Sequence, residues 1–442
     1  MNGEVYDTTG GVVKVNSFDE AIAYLDNHVN LESKNLDKHD VPTLDRMKCV
    51  AHFMADPQFA QPVIQLTGTN GKGSTAAIIT ALLMAHDLSV GTYTSPDLGR
   101  VNDRMKCNGE PIGDEALTEI LDSIQELEKL AEVELSRFEV LTLAGFRWFA
   151  EMAVDVAIVE VGMGGRWDAT NIADATVAVI TNISNDHLDI LGPTTKEVAI
   201  EKVGIVKPGA TLIMGELEPS LLELVVAMAN DQGAATLWKV GDELSCSSND
   251  LAVGGRLVDL NTPGGSYESI FLPLHGAHQA INALLALAAV EAFFGRSLDD
   301  NVVRHAFANV EISGRFEIVG RQPLVVVDGA HNPAGALAAI ATLADFHTEG
   351  YLLVLGMNAG RDPKEMLEAL EVSRARLLVA CEPDSPRAMP AHEIAKVAQE
   401  MGVETLVVPR VKEAMKKAAS LAQPNDAILV TGPLYVVAET LR

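Results

Sequence analysis

A glycine-rich loop that contains one lysine is the part of this sequence best suited to chemistry. Residues 67–75 read Thr-Gly-Thr-Asn-Gly-Lys-Gly-Ser-Thr, between an apolar run at 63–66 and an apolar segment that begins at Ala76. Glycines let the backbone curl so that several N–H groups point at one anion, while a helix N-terminus and a lysine add positive charge. The loop is therefore predicted to hold a polyphosphate between a strand and a helix.

The spacing of this loop departs from the standard P-loop pattern G-x-x-x-x-G-K-[ST]. Leu66 stands where the pattern requires its first glycine, and Gly73 separates Lys72 from Ser74. A glycine-rich turn with a surface lysine is the alternative interpretation of such residues. We favour phosphate binding, because an apolar strand precedes the loop and an apolar helix follows it.

Chemically informative residues also follow other apolar runs. In open parallel sheets, ligands bind beyond the carboxyl ends of the strands, so residues at these positions are expected to meet. They are Thr94-Ser95-Pro96 after the run at 90–93, Glu160 at the end of the run that starts at 156, Asn182 after the run at 177–180, and Asp186-His187 shortly beyond. Their shared position carries more weight than any single motif.

Glu160 is the strongest candidate metal ligand among these residues. A carboxylate that ends an apolar run is poorly solvated unless something pairs with it, and a Mg²⁺ ion on ATP phosphates, helped by a Ser or Thr hydroxyl, would do so. The alternative is a carboxylate that pairs with Arg166 or caps a helix. Imidazole is not a preferred Mg²⁺ ligand, so chemistry alone favours a core or supporting role for His187. The periodicity around Lys202 predicts a helix that ends near Gly204, and a lysine there is usually a solvated surface residue.

A second strand-to-loop motif lies in the last third of the chain. The run 325–327 is followed by Asp328-Gly329-Ala330-His331-Asn332-Pro333. An aspartate at a strand end can bind ribose hydroxyls, His331 offers a further polar contact, and Arg315 could reach a phosphate. A plain β-turn with a helix N-cap at Asn332 is the alternative interpretation.

Composition narrows the class of protein. The chain has 442 residues, 48% hydrophobic and 21% charged, which indicates two or three globular domains. A net charge of −28 argues against nucleic acid and anionic membranes as partners, because such a surface repels them. The cysteines, Cys49, Cys107, Cys246 and Cys381, form no C-x-x-C pair, which argues against structural zinc and a disulfide framework. The sequence shows no signal-peptide pattern and no apolar run of spanning length, so a cytoplasmic location is expected.

Apolar runs alternate with helical segments along the whole chain, which predicts a doubly wound α/β fold with a mostly parallel sheet. Helices are expected at 114–133, 137–152, 279–294 and 334–344, and hairpins or an irregular edge at 245–267. The segment 295–314 is interpreted as the domain junction. We therefore predict a P-loop-containing domain at 1–310 and a smaller, Rossmann-like α/β domain at 311–442.

Taken together, these motifs resemble those of folylpolyglutamate synthases and dihydrofolate synthases, within the Mur ligase superfamily. The similarity extends from about residue 41 to 441. The matching segments are Leu44–Met47, Thr67–Thr75, Tyr93–Pro96, Glu160–Asn171, Asp186–Gly192, Glu201–Gly209, His275–Asn282, Gly314–Glu317 and Asp328–Pro333. The resemblance implies a Mur ligase fold and a monomer.

The resemblance also implies a role for each motif. ATP contacts would come from Thr69, Asn70, Gly71, Lys72, Gly73, Ser74, Thr75, Asn282, Arg315, Asp328 and His331. Magnesium ligands would be Ser95, Glu160, His187 and Lys202, the lysine being carbamylated by CO₂. The folate or dihydropteroate would contact Phe138, Glu139 and Asp168. The resemblance thus implies direct roles in the reaction for Lys72, Lys202, His187 and Arg315. For His187 and Lys202 this differs from the supporting role and the surface position that the residues alone indicated.

The implied reaction is the ATP-dependent addition of L-glutamate to a folate, and to dihydropteroate, through an acyl phosphate. Asp97 departs from the resemblance, since the family usually has histidine there, and substrate preference is the property this change would affect. A muropeptide ligase is a rival interpretation, although about sixty residues before the loop are too few for its extra UDP-binding domain. A P-loop ATPase without folate activity and a homologue that only binds nucleotide are two further functions that such a loop could serve.

Overall fold

The structure is a computed structural model that describes residues 17–30, 43–97, 99–185 and 191–441. Its strands form three sheets within these ranges. The first sheet contains β1 Val63–Thr67, β2 Val90–Tyr93, β3 Met105–Cys107, β4 Glu110–Pro111, β5 Val156–Glu160, β6 Ala175–Ile180, β7 Thr211–Met214 and β8 Thr236–Lys239. The strand order is β4-β3-β2-β5-β1-β6-β7-β8, and the six strands from β2 to β8 in that order are parallel.

The other two sheets are smaller. An antiparallel sheet contains β9 Ser245–Ala252, β10 Gly255–Thr262 and β11 Gly265–Leu272. The third sheet contains β12 Glu317–Arg321, β13 Leu324–Asp328, β14 Tyr351–Gly356, β15 Ala375–Glu382, β16 Thr405–Arg410 and β17 Ala427–Thr431. Its order is β12-β13-β17-β14-β15-β16, and all of its pairs are parallel except β12 with β13.

Helices cover the first and third sheets. They are α1 Phe18–Asn27, α2 Asp45–Phe53, α3 Lys72–Ala85, α4 Asp114–Ala131, α5 Arg137–Glu151, α6 Thr195–Val203, α7 Pro219–Asp231, α8 His278–Phe294, α9 Asp300–Ala308, α10 Pro333–Ala344, α11 Pro363–Ala369, α12 Ala391–Glu400, α13 Val411–Leu421 and α14 Leu434–Leu441. None of the helices in the described ranges is both long and apolar enough to cross a membrane.

The central parallel strands of the first sheet, β1, β2 and β5, are buried on both faces. In β5, Val156 and Ile158 join one hydrophobic cluster with α3 and α8, while Ala157 and Val159 join a second cluster with α4 and α5. Successive side chains of a strand point to opposite faces, so a strand between two helical layers must be apolar at every position. This explains the continuous apolar runs in the sequence and confirms the predicted doubly wound fold.

Most predicted elements are present with small shifts in their ends. The predicted helices correspond to α4, α5, α8 and α10, and the segment interpreted as the domain junction contains α9. The segment predicted to form hairpins is the antiparallel sheet, which extends beyond the predicted range to Leu272. The helix that carries Lys202 ends at Val203 with Gly204 as its C-cap, as predicted.

Candidate active site

A cavity of about 1970 Å³ lies beyond the carboxyl ends of β1, β2, β5 and β6. Loops that follow β13, β14 and β15 of the third sheet form its opposite wall. The carboxyl ends of parallel strands in both sheets therefore face one space, which is where open α/β sheets bind ligands. Most of the predicted site residues line this cavity.

The phosphate loop between β1 and α3 forms the floor of the cavity. Gly71 has a φ of +84°, and a Cβ atom there would lie 2.5 Å from Oδ1 of Asn282. The backbone conformation therefore favours glycine, and the Asn282 side chain would have to move to make room for a Cβ atom. Residues 69–74 line the cavity. Because α3 begins at Lys72, its first N–H groups and its positive dipole end face the same space.

Hydrogen bonds from the end of β6 hold this loop in place. The backbone N–H of Asn70 donates to Oδ1 of Asn182 at 3.0 Å. The hydroxyl of Thr181 donates to the carbonyl of Asn70 at 2.6 Å, and the Lys72 ammonium donates to the carbonyl of Gly68 at 3.0 Å. The loop is thus ordered by its own protein contacts, which lowers the entropy cost of binding an anion.

Thr75 differs from the other predicted nucleotide contacts in this loop. Its backbone N–H donates to the carbonyl of Gly71 at 2.9 Å, inside the first turn of α3. Its side chain is fully buried and is not part of the cavity wall. The structure therefore places Thr75 behind the loop, and its contact with a nucleotide stays a prediction.

Glu160 is buried against the phosphate loop. It is 4% exposed, and its Oε2 lies 3.6 Å from the position of a Cβ atom built on Gly73. Burial raises the pKa of Glu160, and the positive charges of Lys72 and Arg315 act in the opposite direction. The backbone N–H of Ser95 also hydrogen-bonds this carboxylate. The carboxylate thus lies near two cations that face the same cavity.

The alternative partner for Glu160, Arg166, lies elsewhere. Its guanidinium stacks 4.9 Å from the centre of the Trp167 ring, and its charge acts on Glu201. The pairing of Glu160 with Arg166 that the sequence left open is therefore wrong.

The oxygen atoms of Ser95 and Glu160 suit a magnesium ion. Both residues line the cavity beside the phosphate loop. Within the described ranges, no three His, Cys, Asp or Glu side chains are grouped closely enough to hold a metal by themselves. Magnesium commonly takes one or two protein oxygens and completes its shell with phosphate oxygens and water, so this donor set fits the ion. The predicted ligand His187 lies outside the described residues.

Lys202 is buried in the cavity wall. It lies at the end of α6 and is 4% exposed. The expectation of a solvated surface lysine, drawn from periodicity alone, is wrong. Packing of α6 against the loop at Gly165, whose Cβ would lie 3.0 Å from the carbonyl of Lys202, removes this position from solvent.

Phe138 and Glu139 lie in the first turn of α5. Ser136 caps this helix, and the carboxylate of Glu139 accepts a hydrogen bond from the N–H of Ser136 at 2.7 Å. Arg46 contacts the same carboxylate at 3.3 Å. The Phe138 ring packs against Gly162, where a Cβ atom would lie 2.6 Å from the ring. Both predicted substrate residues line the cavity and are held by local contacts.

Asp168 is buried and organises the loop after β5. Its carboxylate accepts hydrogen bonds from the N–H of Met163 at 2.9 Å and from the N–H and hydroxyl of Thr170 at 3.0 and 2.5 Å. Burial raises the pKa of Asp168, and these hydrogen bonds oppose the shift. Asp168 therefore shapes the cavity wall besides lining it.

The second α/β unit contributes Arg315, Asp328 and His331. The Asp328 carboxylate accepts hydrogen bonds from the N–H groups of Phe316 at 2.8 Å and Ala330 at 2.9 Å, which ties the junction to the end of β13. The Arg315 guanidinium packs so closely on Gly329 that a Cβ atom there would lie 2.5 Å from Nη1. Nδ1 of His331 lies 2.9 Å from the carbonyl of Gly329, so this nitrogen carries the proton.

Comparison with known proteins identifies the domains of this chain and its relatives. The Mur ligase middle domain matches residues 66–290, and the Mur ligase glutamate ligase domain matches residues 314–434. The dihydrofolate synthase/folylpolyglutamate synthase of Mycobacterium tuberculosis is 39% identical over 381 residues, which cover 81% of this chain and 78% of that protein. The Escherichia coli protein of the same name is 32% identical, covering 95% of this chain and 94% of its own length.

The chain belongs to the folylpolyglutamate synthase/dihydrofolate synthase family. Similarity to solved structures supports this assignment. Mycobacterium tuberculosis folylpolyglutamate synthase complexed with ADP has a TM-score of 0.89 at 35% identity and covers 97% of this chain and 98% of that chain. Escherichia coli FolC in complex with DHPP and ADP has a TM-score of 0.86 at 31% identity, with 97% and 98% covered.

Asp97, where the resemblance led us to expect histidine, is not part of the cavity wall. Its carboxylate accepts a hydrogen bond from Nε of the buried Arg104, while Ser95 and Pro96 line the cavity. Any effect of Asp97 on the folate pocket would therefore act through the loop that carries Ser95.

Sequence reasoning missed cavity residues of the second α/β unit. Arg361 and Arg387 line the wall after β14 and β15, and a further missed residue, His278, lies at the start of α8. Burial lowers the pKa of His278, with Asp328 opposing and Arg315 reinforcing the shift. The rule that ligands bind beyond parallel strand ends could have found both arginines, since each lies in a loop after a continuous apolar run.

Proposed function

We propose that this protein is an ATP-dependent ligase that adds L-glutamate to folates, and that it also glutamylates dihydropteroate. The observation that carries the proposal is the arrangement of Lys72, Glu160 and Arg315, which come from three separate elements and face one cavity. Such a set can hold the phosphates of ATP while a carboxylate approaches them. The family of the chain supports the choice of folate and glutamate.

The first step joins the substrate carboxylate to phosphate. A carboxylate oxygen attacks the γ-phosphorus of ATP, the bond from that phosphorus to the bridging oxygen breaks, and ADP is the leaving group. Charge then spreads over the transferred phosphoryl oxygens, where Lys72, Arg315 and the first N–H groups of α3 stabilise it. The product is an acyl phosphate, and closure of the two α/β units over the cavity would separate it from bulk water.

The second step forms the amide. The amino group of glutamate attacks the carbonyl carbon of the acyl phosphate, inorganic phosphate leaves, and the nitrogen loses a proton. Arg361 and Arg387 line the wall formed by the second α/β unit and are the cations we assign to the carboxylates of glutamate. Holding both reactants in one cavity makes the attack effectively intramolecular.

Ser95 and Glu160 would hold Mg²⁺, and the resemblance implies His187 and a carbamylated Lys202 as further ligands. A bound Mg²⁺ would neutralise part of the phosphate charge. Carbamylation would turn a buried cation into an anion at Lys202. The buried position of this lysine in the cavity wall supports that role, which remains part of the proposal.

The folate or dihydropteroate would bind beside Phe138, Glu139 and Asp168. The Phe138 ring offers an aromatic face to a pterin, and the carboxylates can accept hydrogen bonds from its amino and ring N–H groups. We also expect a monomer in the cytoplasm that binds small molecules, with no nucleic acid or membrane partner.

One experiment tests the function directly. Purified protein is incubated with ATP, Mg²⁺ and labelled glutamate, with tetrahydrofolate or dihydropteroate offered in turn. We expect label in the folate product and one ADP released per glutamate added. No incorporation with either substrate would contradict the proposal. Incorporation with tetrahydrofolate alone would contradict only the proposed activity on dihydropteroate.

Matched variants connect the activity to the site. Lys72→Ala should abolish incorporation, whereas Lys412→Ala, at an exposed position of α13, should leave it unchanged. The same assay with a muropeptide acceptor tests the muropeptide ligase, and a measurement of ATP hydrolysis without any acceptor tests the ATPase. The proposal predicts no product in the first case and slow hydrolysis in the second.

A further inference from the structure

Two amide side chains join the phosphate loop to the second α/β unit. Nδ2 of Asn70 donates to Oδ1 of Asn332 at 3.3 Å, and Nδ2 of Asn332 donates to Oδ1 of Asn70 at 2.9 Å. The two residues are 262 positions apart in the chain. Two antiparallel hydrogen bonds between planar amides fix both the distance and the orientation of the groups they connect.

Each amide is anchored in its own unit. The backbone of Asn70 is held at the end of β6 by Thr181 and Asn182. Oδ1 of Asn332 also accepts from the N–H of Gly335 at 2.9 Å as the N-cap of α10, and Asn332 is 2% exposed. The pair therefore connects the phosphate loop with the N-terminus of α10, and a shift of either element would move the other.

The loop that carries Asn332 also carries predicted nucleotide contacts. His331 precedes it directly, Asp328 lies four residues earlier, and Gly329 packs on the Arg315 guanidinium. A shift of this loop relative to Asn70 would therefore move these groups relative to Lys72. No role beyond a helix N-cap follows from the sequence around Asn332.

We propose that Asn332 is a positioning residue, and that the Asn70–Asn332 pair sets the alignment of the two halves of the ATP site. This inference rests on the proposed function. Loss of the pair should lower ATP affinity and kcat together. The KM for folate should stay unchanged, because the proposed folate residues Phe138 and Glu139 lie on α5 and take no part in the Asn70–Asn332 pair.

Other contacts keep the two units together when the pair is broken. Arg256 on β10 pairs with Asp345 at the end of α10 at 3.3 Å, with side chains 8% and 30% exposed. His275 packs edge-on against Phe346, with ring centres 5.0 Å apart, and Phe346 stacks on Phe316. A variant of the amide pair is therefore expected to stay folded.

The test separates alignment from helix capping. Asn332→Asp keeps an acceptor for the N–H of Gly335, because aspartate is also a good N-cap, but removes the N–H₂ donor to Asn70. Asn332→Ser can cap as well and is too short to reach Asn70. Asp299→Asn, at the N-cap of α9 outside the cavity, is the matched control. We expect about 10-fold weaker binding of a non-hydrolysable ATP analogue and lower kcat for both Asn332 variants, and no change for the control.

A double-variant cycle with Asn70→Ala gives the decisive result. If the pair acts as a unit, Asn70→Ala combined with Asn332→Ser should weaken analogue binding no more than the more severe single variant. Effects that multiply independently would overturn the proposal. Analogue binding is measured without ligase turnover, so this outcome is distinct from a failure of the proposed function, which would appear as absent glutamate incorporation in the unaltered protein. Equal thermal midpoints for the Asn332 variants and the control exclude unfolding as the cause.

Discussion

Asp97 accepts a hydrogen bond at 2.8 Å from Nε of Arg104, whose side chain is 1% exposed while that of Asp97 is 15% exposed. The backbone of the same arginine contacts the adjacent loop, since the N–H of Thr94 donates to its carbonyl at 2.9 Å. The pair thus connects the start of β3 with the loop that presents Ser95 to the cavity. A carboxylate bonded to a buried guanidinium offsets part of the cost of taking that cation out of water.

Removal of this carboxylate should destabilise the protein. We expect Asp97→Asn to lower the free energy of unfolding by about 3 kcal/mol at pH 7, because it removes a charged, hydrogen-bonded partner of a buried cation. Asp300→Asn, which breaks an exposed pair with Arg304, should cost less than about 1 kcal/mol. Urea unfolding of the two variants measures both values, and equal losses would contradict a special role for Asp97.

The same pair predicts a pH dependence. Burial acts to raise the pKa of Asp97, but the charge and hydrogen bond of Arg104 outweigh it and lower the pKa below its ordinary value. The stabilisation is therefore present above the unfolded-state pKa of about 3.9 and is lost as the pH falls through the lower folded-state pKa. The difference in unfolding free energy between the protein and Asp97→Asn should shrink when urea unfolding is repeated at successively lower pH, below about 4.

Glu160→Gln tests the proposed magnesium site. The amide keeps the volume of the side chain but removes the negative charge beside Lys72 and Arg315. We expect the Mg²⁺ concentration for half-maximal ligase activity to rise at least about 10-fold, as one charge-assisted contact is lost. Glu291→Gln is a control of equal burial, since Glu291 is 1% exposed and bonds Tyr267 far from the cavity. An unchanged Mg²⁺ requirement in Glu160→Gln would exclude this carboxylate as a ligand.

Arg361→Gln and Arg387→Gln test the glutamate site. Each change removes a cation from the wall formed by the second α/β unit, so the KM for glutamate should rise about 10-fold while the KM for ATP stays within about twofold. Arg374→Gln, in an exposed pair with Glu371 of the same unit, is the control. Steady-state kinetics with glutamate and ATP varied separately distinguishes these outcomes. A selective rise in the KM for ATP would show that the two arginines bind the nucleotide and not glutamate.

Lys202→Arg tests carbamylation. A guanidinium does not form the carbamate, so the variant should lose ligase activity and the ¹³C carbamate resonance that appears when the protein is equilibrated with ¹³C-bicarbonate. Lys207 is a demanding control, because burial lowers its pKa and its ammonium donates to the carbonyl of Asn171 at 2.9 Å. Lys207→Arg should keep the resonance. Loss of the resonance in Lys207→Arg alone would show that our proposal assigns the carbamate to the wrong lysine.

The local pattern of residue types was sufficient to predict the fold and much of the candidate site. The apolar runs marked the parallel strands because residues on both faces of these strands are buried, as Val156 and Ala157 show. Residues beyond those runs, such as Glu160 and Asp328, share the cavity because parallel strands end at one edge. Burial of Lys202 was not predictable from its helix, since it depends on packing of α6 against a loop from β5.

The amino-acid sequence was enough to predict the strand–loop–helix units, the phosphate loop and the family resemblance, because these follow from residue types at short separations. Which distant residues meet depends on the tertiary structure. It paired Asn70 with Asn332, Asp97 with the buried Arg104, and brought Arg361 and Arg387 to the same cavity as Lys72. Such contacts depend on how the two α/β units pack together and on the course of their loops, and neither leaves a periodic signal in the chain.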